Sequence, residues 1–189
     1  MRRAALAAIG LLAAAPAAFG QSAATSMPGM GRSAVPHIRT EAADLRTLLH
    51  SAAAASPTLQ ALVERLEGSD LIVYVTARPL PSSINGRIGW IGTAGGLRVV
   101  KIELACPRTM LEQAASLAHE LRHAVEIADA PDIIGPPSFA EHYARIGVLT
   151  RGTIGSVMFE TDAARLTGEL VRQELMSAPR NAVATVPAR

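Results

Sequence analysis

Cysteine is almost missing from this chain. Cys106 is the single one in 189 residues, which excludes an internal disulfide framework and leaves stability to a packed core or a bound metal. Cys106 itself reads as a small buried residue rather than a nucleophile. Aromatic residues are scarce as well, at 3%, so the sequence offers no obvious aromatic slot for a substrate side chain. Lysine is confined to Lys101, the other basic residues being arginine; with the abundant alanine this is a coding bias and carries no function. Excess charge is also lacking. The opening MRRAALAAIGLLAAAPAAFGQ has a short basic start at Arg2 and Arg3, an apolar stretch and small residues at Ala18 and Gly20, the pattern of a secretory signal cut after residue 20. Without those two arginines, 16 basic residues face 16 acidic ones. A neutral mature chain argues against nucleic acid as a partner and against electrostatic attraction to an anionic membrane. The apolar run is short for a bilayer span, so the expected location is periplasmic or secreted, with no stable membrane span once the signal is removed.

The length suits one domain with a real core. Residues 21–36 are small, polar and rich in Gly and Pro and read as a flexible lead-in. A single domain is expected over 37–176, with a disordered tail over 177–189. Within the domain, Leu45, Leu48, Leu49 and Ala52 recur at helical spacing over Thr40 to Ala55. Ser56-Pro57 then reads as an N-cap and first helical residue of a second helix that stops at Gly68. Three strands follow, over Leu71 to Val75, Arg87 to Thr93 and Leu97 to Leu104, the last two joined across Ala94-Gly95-Gly96. The expected sheet is small and mostly antiparallel, with one wetter face.

Helical periodicity returns at Thr109. Thr109-x-x-Glu112 is a capping box, and Leu111, Ala114, Ala118, Leu121 and Val125 form an apolar stripe that ends before Pro131. A second capping box, Ser138-x-x-Glu141, is expected to open a short helix to Ile146. A last helix is expected over Val157 to Met176, with Phe159, Ala163, Leu166, Leu170 and Leu175 toward the core. The fold class that follows is α+β.

The Thr109 helix carries LAHELRHAVE. His119 and His123, four apart, share one helix face about one turn from each other, so both imidazoles can reach a single tetrahedral ion. Glu120 is turned ~100° away from His119; it is placed to reach a water on that ion and to act as general base. A catalytic zinc site takes a third protein ligand. Glu126 lies too far along the axis to serve comfortably, and reads either as a surface partner for Arg122 or as support behind a ligand. Glu160 in FETDAARL, 37 residues after His123 and expected near the start of the last helix, is the better third ligand.

These residues resemble the gluzincin group of zinc metallopeptidases. H-E-x-x-H on one helix, a small sheet before it, and a later glutamate followed by alanines three and four positions on together cover roughly Leu71 to Met176. The resemblance implies a zincin-like fold, Zn2+ held by His119, His123 and Glu160, Glu120 as catalytic base, and a peptide or protein substrate. The metzincin pattern fits worse, because Val125, Glu126 and Ile127 stand where its glycine and third histidine would follow. The chain also departs from the gluzincin pattern. Many members carry an acidic residue four positions after the glutamate ligand, and here that position is Ala164, with Asp162 as a substitute on another side of the helix. For transition-state stabilisation, His142, Tyr143 and Arg145 are candidates, and Tyr143 is favoured. The rival readings are a non-catalytic zinc-stabilised binding or assembly module of the same fold, and a metal-free protein whose histidines face solvent. Oligomeric state and substrate specificity have no signal in the sequence.

Overall fold

The computed structural model describes residues 6–9, 36–151 and 157–178. Most of the expected signal segment, lead-in and tail lies outside those residues. Leu6–Ile9, within the expected signal segment, form strand β1.

The remaining elements are β2 (Ile38–Thr40), α1 (Ala43–Ala55), α2 (Pro57–Glu67), β3 (Leu71–Arg78), β4 (Ile84–Ala94), β5 (Leu97–Ala105), α3 (Met110–Ala128), α4 (Pro136–Ile146), β6 (Val148–Arg151), β7 (Val157–Glu160) and α5 (Asp162–Ser177). The architecture is α+β. Five strands form one sheet in the order β1-β4-β5-β3-β2, and β6 and β7 pair as a separate ribbon. The expectation of a mostly antiparallel sheet is corrected. β4 and β5 form an antiparallel hairpin, but β1–β4, β3–β5 and β2–β3 are parallel, so the sheet is mixed. The hairpin is a local feature announced by Gly95 and Gly96, whose positive φ values of 58° and 81° suit glycine. The parallel pairings join distant segments and have no local signal.

α2, α3 and α5 start where the sequence offers a capping side chain. Ser56 accepts from the Leu59 amide at 3.1 Å, with Pro57 in the first turn of α2. The Thr109–Glu112 capping box opens α3, the two residues exchanging side-chain and backbone hydrogen bonds. α4 begins three residues earlier than Ser138 as N-cap predicts. Pro136 and Pro137 occupy its first turn, and Ser138 Oγ accepts from the Ile134 and Gly135 amides at 3.0 and 3.1 Å instead of pairing with Glu141.

The last helix differs most from expectation. Val157–Glu160 are strand β7, and Thr161 caps α5 by accepting from the Ala164 amide at 3.1 Å. An N-cap has extended backbone, so helix cannot continue back through it to Val157. The buried stripe is also rotated: Ala164, Gly168 and Val171 are buried, whereas Leu166 and Leu170 are 54% and 46% exposed. Small residues win the inward face because α5 packs closely on α3. A Cβ at Gly168 would sit 3.1 Å from the Ala115 carbonyl and 3.2 Å from His119 Cβ.

The core lies between α1, α2, α3 and the sheet face carrying Val73, Val75, Ile88, Val100, Ile102 and Leu104. One buried polar residue ties this layer to the end of α3. Arg98, on β5, donates to the carbonyls of Ile127, Ala128 and Ala130 at 2.7–3.2 Å and pairs with both oxygens of Asp70. Those carbonyls lie at and just beyond the C-terminal end of the helix, where intrahelical donors run out, so Arg98 ties the end of α3 to the sheet. On the opposite face Glu103 is buried beneath Arg78, Arg87 and Lys101.

Candidate metal centre

The helical spacing of His119 and His123 places both imidazoles on the side of α3 that meets β7 and α5. Their ring centroids are 4.9 Å apart and their planes are inclined by 73°. Glu160, the last residue of β7, meets them. Its Oε1 lies 3.2 Å from His119 Nε2 and 3.8 Å from His123 Nε2. Met158 on β7 packs with Ile84, the first residue of β4, and with Leu80 in the segment before it. The three residues thus converge as the sequence pairs them, although Glu160 arrives from the end of a strand rather than from a helix.

A tetrahedral ion with bonds of ~2.0–2.2 Å sets its ligand atoms ~3.3 Å apart, and the two nitrogen–oxygen separations bracket that spacing. Within the site, His119 Nε2, His123 Nε2 and both carboxylate oxygens of Glu120 are buried without a hydrogen-bond partner. Buried polar atoms without partners are costly unless something binds to them. Two imidazole nitrogens and a carboxylate suit a divalent cation of the zinc type, so the donor set fits the ion that the spacing predicts.

Glu120 is fully buried. Its carboxylate fills the space that a side chain on Gly86 of β4 would take, with Oε1 2.7 Å from the ideal Cβ position. Burial, and then the charges of Glu160 and Glu126, push its pKa well above the ordinary carboxylate value. An added cation opposes that shift.

Glu126 has left the surface. Its Oε2 is 2.8 Å from His123 Nδ1, and its Oε1 accepts from the Thr161 hydroxyl at 2.7 Å. Arg122, its expected surface partner, stands 3.9 Å away. Burial pushes Glu126 up, but His123, Thr161 and Arg122 together hold it below its ordinary value. His123 is pushed below its usual value by burial, which outweighs the Glu126 carboxylate. Asp162 takes no part: its side chain is 90% exposed and pairs with Arg165.

Tyr143 lies in the core behind His123, with its ring 5.6 Å from the imidazole and its hydroxyl donated to the His123 carbonyl at 2.9 Å. The hydroxyl is committed to backbone there. Arg145 is exposed and 3.5 Å from Asp132, and His142 is half-buried beside the Tyr143 ring.

The sequence reading did not single out Thr161, Gly86 or Gly168. Thr161 and Gly168 did leave signals, a capping residue directly after Glu160 and an Ala164-x-x-x-Gly168 small-residue spacing. Gly86 left none. Among the described residues no helix is long and apolar enough to cross a membrane. No family model, curated protein or solved structure matches the chain.

Proposed function

We propose that the chain is an exported zinc-dependent hydrolase, most simply a metallopeptidase of gluzincin type, with His119, His123 and Glu160 as ligands and Glu120 as general base. The observation that carries this reading is the convergence of ligand atoms from His119, His123 and Glu160, with both imidazole Nε2 atoms buried and unpartnered, while the neighbouring Glu120 carboxylate is itself buried without a partner. A divalent cation bound there would supply Lewis-acid activation of water and of a substrate carbonyl. The imidazoles and Glu160 hold it; Glu120, too far round the helix to share in ligation, takes a proton at a carboxylate oxygen and returns it to the leaving amine. Tyr143 in this reading supports α3 behind His123 rather than touching substrate.

The full burial of Glu120 favours one alternative, a non-catalytic module in which the metal staples α3 to the β7–α5 corner. The test is metal content and peptide-library hydrolysis for the wild type, Glu120→Gln and Glu160→Ala. The hydrolase reading expects stoichiometric zinc and cleavage in the wild type, zinc without cleavage in Glu120→Gln, and lost zinc in Glu160→Ala. Zinc without cleavage in the wild type favours the module; no zinc in the wild type overturns both.

A further inference from the structure

Glu126 is a buried carboxylate whose two oxygens serve two different elements. Oε2 meets His123 Nδ1 on its own helix, and Oε1 meets the Thr161 hydroxyl at the junction of β7 and α5. Thr161 in turn accepts from the Ala164 amide, so its single hydroxyl proton is the one given to Glu126. An ionised carboxylate can only accept. His123 Nδ1 must therefore be the donor, which leaves the lone pair of the neutral ring at Nε2, the atom that faces His119 and Glu160.

We infer that Glu126 and Thr161 form a positioning pair that assembles the metal-ligating geometry. This rests on the metal-site reading above. Glu126 fixes the ring and tautomer of His123, and through Thr161 it fixes the residue directly after Glu160, so one carboxylate sets two of the three ligands. It performs the orienting task at a place the gluzincin resemblance does not provide: Ala164 has no polar group to offer, and Asp162 points to solvent. The Arg122 contact does not explain the burial of Glu126. At 3.9 Å, from a partly exposed Arg122, it is longer than either hydrogen bond, whereas the two short contacts are charge-assisted. An anion behind an imidazole also raises the basicity of the opposite nitrogen.

The test uses the full chain. Zinc affinity is measured by competition with a chromophoric chelator for the wild type, Glu126→Ala, Thr161→Val, Thr161→Ser and the Glu126→Ala/Thr161→Val double variant. The His123 tautomer is read from nitrogen-15 shifts in the metal-free wild type. Glu126→Ala and Thr161→Val should each weaken zinc by about 10- to 100-fold. Thr161→Ser, which keeps the hydroxyl, should stay within about threefold of wild type, and the double variant should be no weaker than Glu126→Ala alone. That last comparison separates the route through Glu126 from the loss of the α5 cap, which would add in any background. If Glu126→Ala does not fold, Glu126→Gln replaces it with the same expectation of weakened zinc. Affinities within twofold of wild type, additive losses, or an Nε2–H tautomer at His123 would overturn the pair while leaving zinc binding intact. A wild type that binds no zinc removes the pair and the hydrolase reading together.

Discussion

Glu120 occupies the volume that Gly86 leaves empty: its Oε1 is 2.7 Å and its Cγ 2.9 Å from the position of a Cβ on that glycine. The proposed base is thus seated by a missing side chain on β4. Gly86→Ala forces the carboxylate out of its seat, while His119, His123 and Glu160 stay where they are. A shift of this size in a catalytic group costs on the order of 100-fold in rate. The expected result is kcat/KM reduced about 100-fold with zinc stoichiometry unchanged, checked by steady-state kinetics beside metal analysis. Wild-type activity in Gly86→Ala would show that Glu120 works from another position.

Gly168 makes the corresponding approach between helices, since a Cβ there would press on the Ala115 carbonyl and on His119 Cβ. Gly168→Ala gains ~1 kcal/mol of helix propensity but overpacks a tight crossing at a cost of ~1–3 kcal/mol. Backbone on one side of the contact cannot yield easily, so the overpacking wins. Urea unfolding of the metal-free protein should show a net loss of about 1 kcal/mol, and zinc affinity should fall because His119 is displaced.

How far such features can be read from the sequence depends on how local their cause is. The second helix is legible at both ends because Ser56, Pro57 and Gly68 act within a few residues of themselves. The H-E-x-x-H pair is legible for the same reason, the helix bringing His119 and His123 together. β7 was not, since Val157, Met158 and Phe159 suit a helix or a strand and the capping by Thr161 decides between them. Sheet order joins β3 to β5 and β2 to β3, pairings set by global packing. Glu126 shows the limit most clearly. Its spacing from His123 admits both a surface and a buried role, and only the arrival of Thr161 from 35 residues away selects the buried one.

Arg98 is expected to be among the most costly single sites outside the metal centre. Arg98→Ala takes the side-chain donor from the carbonyls of Ile127, Ala128 and Ala130, the first and last of which keep a backbone donor, and strips Asp70 of its partner, which holds that carboxyl below its usual range. Losing the donor to buried carbonyls costs about 1–3 kcal/mol, to which Asp70 adds little because its side chain is half exposed. Chemical denaturation should show this loss, and α3 should fray at its last turn, visible as faster amide exchange after Val125. A cost under about 1 kcal/mol would mean that water replaces the guanidinium at the helix end.

Glu103 provides a pH signature independent of the metal centre. Burial pushes its pKa up, but Arg78, Arg87 and Lys101 outweigh burial and hold it below the ordinary value of 4.5. A depressed folded-state pKa means that the unfolded chain binds the proton more readily, so the stabilisation is full above the unfolded value and disappears as pH falls through the folded one. Acid unfolding of the whole protein mixes this with opposing effects, because the raised pKa of Glu120 relieves a penalty on acidification. The difference between wild type and Glu103→Gln isolates the Glu103 contribution. That difference should be about 2 kcal/mol at pH 7, as for a hydrogen-bonded charged group. It should begin to shrink near pH 4.5, the ordinary glutamate value, and vanish at more acid pH. Denaturation curves at a series of pH values with chelator present supply the test, and a difference that grows on acidification would contradict the charge assignment of this face.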